Sequence, residues 1–334
     1  MASKLSLDPL AVLVALALAG AALSMTIALA QASRERAPQA VLANQTSASV
    51  AEVNAVESQA LNSRWVVSAD EAKQLIAQGA TVLDARGGLK LQKPLARAIA
   101  VNWKQFAQPH APDQGKLLDD DHLLTQKLQA VGVSRDKPVI AVGDPARGWG
   151  EDGRVVWMLR TLGHQKAVLV DGGYQALVKA GVPTAWSAAT VAPRPGDFVV
   201  ERTTAWTIDR AQLKAELGQQ NVVVIDTREA REYAGATPYG EQRGGHIPGA
   251  LHIYYKDLLD QNGKLLPREQ MITKLEQLGV TQDTQVVAYC TGGIRSGWFT
   301  SILSDLGYKA KNYAGSMWDW SAGPVASYPL EKTN

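Results

Sequence analysis

Apolar and polar positions alternate in blocks along most of this chain. Short runs of β-branched residues are each followed by longer stretches with apolar residues three and four apart. Val66-Val67 leads into Ser68 with Glu71 three residues later and then Leu75-Ile76, which predicts an N-capped helix. Thr81-Val-Leu-Asp-Ala-Arg86 predicts a short strand ending in a charged pair. Leu123, Leu124, Leu128 and Val131 form a helical stripe, and Pro138-Val-Ile-Ala-Val142 is a buried strand. Val155 to Leu162 gives another helix, Ala167-Val-Leu-Val170 a strand, and Asp171-Gly-Gly173 a turn into the helix around Leu177. Strands alternating with helices predict a parallel α/β sheet with crossover helices.

The same order then recurs. Trp206 to Arg210 with Leu213 parallels Trp65 to Ala69 and its helix. Val224-Ile-Asp-Thr-Arg228 parallels Val82-Leu-Asp-Ala-Arg86, and the helical stripe from Met271 to Val280 parallels that from Leu124 to Val133. Val286-Val-Ala-Tyr289 parallels Val139-Ile-Ala-Val142. A period this long predicts a duplicated domain: an α/β fold of two copies, each a doubly wound parallel sheet flanked by helices. The expected organisation is a leader or anchor over 1–30, a flexible polar tether over 31–62, and a first domain over 63–187. A linker over 188–203 and a second domain over 204–334 follow.

The first thirty residues stand apart from this pattern. Lys4 precedes an uncharged run from Pro9 to Ala30, and Ala28-Leu-Ala30 fits the small-x-small cleavage pattern of a secretory signal peptide. An uncleaved membrane anchor is the rival reading, because about twenty apolar residues span a bilayer. Gly20, Ser24 and Thr26 weaken it. Both place the folded part outside the cytoplasm, in a periplasm-like compartment or anchored facing it.

Composition narrows the chemistry. The 334 residues carry a net charge of +2, with no basic run interleaved with aromatics, so nucleic acid is not an expected partner. One cysteine allows no internal disulfide, and the five histidines show no metal-ligand spacing. No metal and no cofactor are expected. Trp65, Trp103, Trp157, Trp206 and Trp298 fall within apolar patterns and are expected in cores.

That single cysteine, Cys290, ends an apolar strand and opens Cys290-Thr-Gly-Gly-Ile-Arg-Ser-Gly297, which runs into the helical pattern of Trp298, Phe299, Ile302 and Leu303. Gly292 and Gly293 let the loop curl, so that the N–H groups from Thr291 through Ile294 to Ser296 point inward. Such a nest at a helix N-terminus favours negative charge and a thiolate. The bland alternative is a buried cysteine acting as a small hydrophobe. In the first copy the corresponding residue is Gly143, in a longer loop containing Asp144 and Pro145. That loop lacks a thiol, so one domain is expected to react and the other to support it.

The combination of Asp226-x-Arg228, Glu232-Tyr233, Gly244-Gly-His-Ile-Pro-Gly-Ala250 and Cys290-x-x-Gly293 resembles the two-domain rhodanese-family sulfurtransferases over Trp65 to Pro329. That family includes thiosulfate and 3-mercaptopyruvate sulfurtransferases. The resemblance implies a catalytic second domain and a double displacement. Cys290 takes sulfur from a small-molecule donor such as thiosulfate, becomes a persulfide, and yields the sulfur to cyanide or a thiol. It implies that loop residues 291–296 hold the anionic sulfur, that Arg295 pairs with the donor or rigidifies the loop through Asp226 or a carbonyl, and that Arg243 borders the cleft. Asp226, Arg228 and His246 are expected to be structural, and Ser296 to cap the helix. The loop carries neither the Arg-Lys pair frequent in thiosulfate-preferring members nor the Gly-Ser-Gly-Val-Thr of mercaptopyruvate members, and Glu232 stands where some relatives carry arginine. Charge matching favours thiosulfate, with 3-mercaptopyruvate as the alternative donor. A phosphatase would need Cys-x5-Arg, whereas the spacing here is one residue shorter. A persulfide-binding or sensor module without turnover and a structural tandem domain are the remaining alternatives.

Overall fold

The computed structural model describes residues 61–87, 92–185 and 194–333. The leader, most of the tether and residues 188–193 of the expected linker lie outside the described residues. Among the described residues no helix is long and apolar enough to cross a membrane.

Two parallel sheets organise the rest. The first is built from β1 (Val66–Val67), β2 (Thr81–Asp84), β3 (Ile99–Ala100), β4 (Val139–Val142) and β5 (Ala167–Val170), in the order β1-β5-β4-β2-β3. The second is built from β6 (Val222–Asp226), β7 (Leu251–His252), β8 (Gln285–Tyr289) and β9 (Lys309–Asn312), in the order β7-β6-β8-β9. Read from its other edge, the second sheet repeats the first. A lone parallel bridge between Thr207 and Asn312 stands where β1 pairs with β5. Ser68 caps the first helix, α1 (Ala69–Ala77), in a capping box with Glu71, as the sequence predicts. The helices that follow are α2 (Asp121–Ala130), α3 (Glu151–Thr161), α4 (Gly173–Lys179), α5 (Arg210–Glu216), α6 (Ala230–Ala234), α7 (Arg268–Glu276), α8 (Ile294–Asp305) and α9 (Ser316–Ala322).

Strand alternation divides the core. Val139 and Ala141 of β4 and Val286 and Ala288 of β8 enter one core shared by both halves. Ile140 and Val142 face a second core, and Val287 and Tyr289 a third. Each sheet therefore has two apolar faces, the requirement for helices on both sides. The shared core centres on α3 against α8. A side chain at Gly153 would place its Cβ 2.4 Å from the Trp298 Cα, so glycine permits the close crossing. Trp298, Phe299, Ile302 and Leu303 are buried there. Further ties cross between the halves: Asp305 accepts the Trp65 and Val66 N–H groups at 2.7 and 2.9 Å, and Asp171 accepts that of Leu265 at 2.8 Å.

Of the tryptophans expected in cores, Trp65, Trp157 and Trp298 are buried. Trp206 is half-buried and packs edge-on against Trp65, with ring centroids 5.2 Å apart. Trp103 departs from that expectation. It starts a short 3-10 turn and lines the cavity described next.

Candidate active site

Cys290 follows the last residue of β8, where a parallel strand hands over to the helix α8. It is 1% exposed. Gly293 closes the loop with φ +80°, the left-handed conformation that costs other residues about 1 kcal/mol or more. Its N–H donates to the Cys290 Sγ at 3.1 Å. The Ser296 hydroxyl lies 3.5 Å from that sulfur and 2.7 Å from Asn312 Oδ1. Gly292 is required for another reason: a Cβ there would fall 2.0 Å from the Trp318 ring.

The start of α9 completes the cradle. The N–H groups of Met317 and Trp318 donate to the carbonyls of Cys290 and Thr291, at 3.1 and 3.0 Å. Ser316 accepts the Cys290 N–H at 3.0 Å and donates to the Tyr313 carbonyl at 2.7 Å. Those bonds hold Ser316 at φ +52°, an unfavourable conformation for a residue with a Cβ. With the Cys290 and Thr291 carbonyls occupied from behind, the Gly292, Gly293 and Ser296 amides face the sulfur.

Electrostatics follow from that geometry. Burial pushes the thiol pKa up. The Arg295 charge, the Ser296 hydroxyl and N–H, and the Gly292 N–H outweigh it, so the thiol lies below its ordinary value. Arg295 is not free. Its Nη1 donates to Glu232 Oε2 at 2.6 Å, and its Nη2 to Glu232 Oε1 at 2.8 Å and to Thr291 Oγ1 at 2.7 Å. Burial raises the Glu232 carboxyl, but the Arg295 contacts prevail and hold it low. The rigidifying partner of Arg295 is thus Glu232, neither Asp226 nor a loop carbonyl. Two-point pairing of this kind fixes the guanidinium plane.

A cavity of about 280 Å³ opens above the sulfur. Cys290, Thr291, Gly292, Ile294 and Arg295 form its floor, with Tyr239 and Trp318 beside them. Trp103, Lys104, Trp149 and Glu151 close it from the first half of the molecule. Trp149 and Tyr239 meet edge to face at 5.4 Å, and the Arg295 guanidinium lies 5.1 and 5.8 Å from their rings.

Two expected roles need correction. Arg243 does not border this cavity. Its guanidinium is consumed by four carbonyls of the carboxyl-terminal segment, those of Trp320, Ser321, Gly323 and Tyr328, at 2.9 to 3.2 Å. Ser296 does not cap α8. The cap position belongs to Gly293, and the Ser296 hydroxyl turns to the sulfur and Asn312 instead. The other residues sit as bystanders to the cavity. Arg228 pairs with Asp226 at 2.6 Å and reaches the Gly245 carbonyl at 2.7 Å, all buried. His246 Nδ1 lies 3.0 Å from the Tyr233 carbonyl, with its ring stacked on Tyr233.

Known proteins are similar to this chain in sequence and in fold. The rhodanese-like domain pattern matches residues 209–323. A thiosulfate sulfurtransferase from Azotobacter vinelandii is 30% identical over 232 residues, 69% of this chain and 83% of the relative. The chain belongs to the rhodanese family. A probable 3-mercaptopyruvate sulfurtransferase from Pseudomonas aeruginosa is 33% identical over 216 residues, covering 62% of this chain and 72% of that protein. The solved 3-mercaptopyruvate sulfurtransferase from Leishmania major shares the fold at TM-score 0.64 and 22% identity, over 78% of this chain and 74% of the other. Like other rhodanese-family members of this kind, the protein is a sulfurtransferase.

Proposed function

We propose that Cys290 carries sulfur as a persulfide between thiosulfate, or a similar donor, and a thiophilic acceptor. The observation that carries this reading is a thiol of lowered pKa on the floor of an open cavity, with the Gly293 N–H donating to its sulfur. The thiolate attacks the outer sulfur of thiosulfate. That S–S bond breaks and its electron pair leaves with sulfite. Cyanide or a thiolate then attacks the outer sulfur of the persulfide, and the Cys290 thiolate departs. The Gly293 N–H stabilises the Sγ thiolate before attack and again as it departs. Thiosulfate is favoured because two relatives named for it are each matched over 83% of their own length, against 72% for the relative named for 3-mercaptopyruvate. 3-Mercaptopyruvate is the second donor to test, on the strength of the Pseudomonas aeruginosa relative's name. A phosphatase reading gains no support, since the Arg295 guanidinium that would bind a phosphoryl group is engaged by Glu232.

Exposing the purified protein to thiosulfate should add the mass of one sulfur atom, removable by cyanide. No mass gain with either donor would overturn the reading. The run Pro9 to Ala30 supports activity outside the cytoplasm, with membrane attachment if it is retained. N-terminal sequencing of native protein tests this: a mature start near Gln31 indicates cleavage, and a soluble cytoplasmic protein retaining Met1 or Ala2 refutes both.

A further inference from the structure

The half without a cysteine sends one side chain into the sulfur-binding loop. Arg154, in the first turns of α3, is 1% exposed. Its Nη1 donates to the Gly293 carbonyl at 3.1 Å, and its Nη2 to the Gly115 carbonyl at 2.7 Å. Gly115 itself is wedged under the loop: a Cβ there would lie 2.4 Å from the Ala314 carbonyl oxygen and 2.8 Å from that of Gly292. The Arg154 guanidinium stands over the Trp157 ring at 4.4 Å and 5.7 Å from that of Trp103.

Among the described residues, no carboxylate forms an ion pair with Arg154. Burial pulls its pKa down to about 9, and the opposite charge acting on it is the Cys290 thiolate. A lone buried cation costs several kcal/mol unless something compensates it. Arg295 is nearer in role but differently placed, because Glu232 already neutralises it.

We propose that Arg154 is a positioning residue for sulfur transfer: it pins the Gly293 carbonyl so that the Gly293 N–H aims at Cys290, and it lends the anionic sulfur a positive charge that no carboxylate neutralises. Three donors converge on that carbonyl: Arg154, Asn312 Nδ2 at 3.2 Å, and the Gly297 N–H at 3.2 Å. They lock the left-handed Gly293. The fit is tight, since a Cβ on Gly293 would lie 2.7 Å from Arg154 Nη1. The sulfur-binding loop is thus complete only when both halves of the molecule are present. The inference rests on the persulfide reading of Cys290.

Because Cys290 is the only thiol, the pH dependence of its alkylation reports its pKa without interference. Arg295, Glu232, Glu241 behind Thr291, and Glu151 and Lys104 across the cavity are left unchanged. Arg154→Gln keeps one donor but loses the charge. It should raise the thiol pKa by about half a unit to one unit, slowing alkylation below the pKa by about three- to tenfold. Arg154→Lys keeps the charge and should stay within about 0.3 unit of the parent. An unchanged pKa in Arg154→Gln, or an equal change in both variants, overturns the proposal. Near-UV circular dichroism verifies that each is folded. Should the glutamine variant not fold, the lysine variant decides alone: a rise of about a full unit refutes the charge role. Alkylation needs no sulfur donor. A thiol that accepts no sulfur from thiosulfate would therefore sink the functional reading while leaving this measurement interpretable.

Discussion

Two strand-loop-helix units in this molecule share a design and differ in chemistry. In the first, β4 ends at Val142, Gly143 opens the loop, and Gly150 starts α3 at φ +84°. In the second, β8 ends at Tyr289, Cys290 opens the loop, and Gly293 starts α8 at φ +80°. Counted from those glycines, Asp152 occupies the place of Arg295. The sign of the buried charge is reversed. The slot for a side chain at position 143 is filled by the Asp152 carboxylate, since a Cβ there would fall 2.4 Å from its Cγ. Asp152 is desolvated, which pushes its carboxyl up to about 7, and its Oδ2 has no hydrogen-bond partner among the described residues. A short loop, a cysteine and a cation make a place for an anion. A longer loop, a glycine and a carboxylate make a place where an anion cannot sit. What the first unit retains is its helix with Glu151 and Arg154, and Trp149 in the loop just before it.

Removing the nucleophile should give the largest effect. Cys290→Ser should lower sulfur transfer by more than about a thousandfold while leaving the fold intact. Substantial residual transfer in a steady-state assay would show the sulfur to be carried elsewhere. The next effect tests the cation of the second unit. Glu232→Gln leaves Arg295 buried with half its pairing lost, and should cost about 3 kcal/mol in urea unfolding. The same change removes a negative charge near the sulfur, so the thiol pKa should fall further. A rise instead would mean that Arg295 swings away from the sulfur once Glu232 no longer holds it.

The strands and the cysteine loop were legible because their signals are local. The runs Val139–Val142 and Ala167–Val170 became strands, and Ser68 with Glu71 became a capping box. Cys290, Gly292 and Gly293 announced a curled anion site within a few residues. The walls of the cavity were not legible. Trp103, Trp149, Tyr239 and Trp318 come from four loops or helix starts far apart in sequence, and no periodicity links them. Glu232 stood out as a departure from some relatives, yet its meaning needed the fold, because it meets Arg295 across 63 positions. Arg243 misled for the converse reason. It sits beside the motif Gly244-Gly-His246, but nothing local shows that the chain end returns to take its guanidinium. Ser296 reads as a cap from sequence, and its hydroxyl is drawn instead to Asn312, which β9 brings alongside.

Giving the first unit a thiol tests the same difference from the other side. Gly143→Cys in a Cys290→Ser background should form no persulfide with thiosulfate. The new Cβ must displace the Asp152 carboxylate, at a cost of about 1–3 kcal/mol typical of overpacking. A thiol beside that acid is also discouraged from ionising. A measurable sulfur adduct by mass would show that the loop, not the charge, is permissive.

The smallest effect is a slope. The Asp152 pKa is raised in the folded protein, because burial disfavours its charged form, whereas the unfolded chain ionises near the ordinary carboxylate value of 3.8. Between those two values the folded state holds more proton than the unfolded state. Stability therefore falls as pH rises from about 4 to about 7, and levels off above that. In Asp152→Asn this dependence should be absent. Subtracting the two proteins cancels the other titrating groups. The variant's stability relative to the parent should then climb by at least about 1 kcal/mol from pH 4 to pH 7, because one proton held by the folded state alone is worth up to about 1.4 kcal/mol for each pH step of one. Urea midpoints measured at pH 4, 5.5, 7 and 8.5 would resolve it. A difference that stays flat with pH would mean that Asp152 ionises in place at its ordinary pKa. The charge reversal between the two loops would then rest on a carboxylate that water reaches.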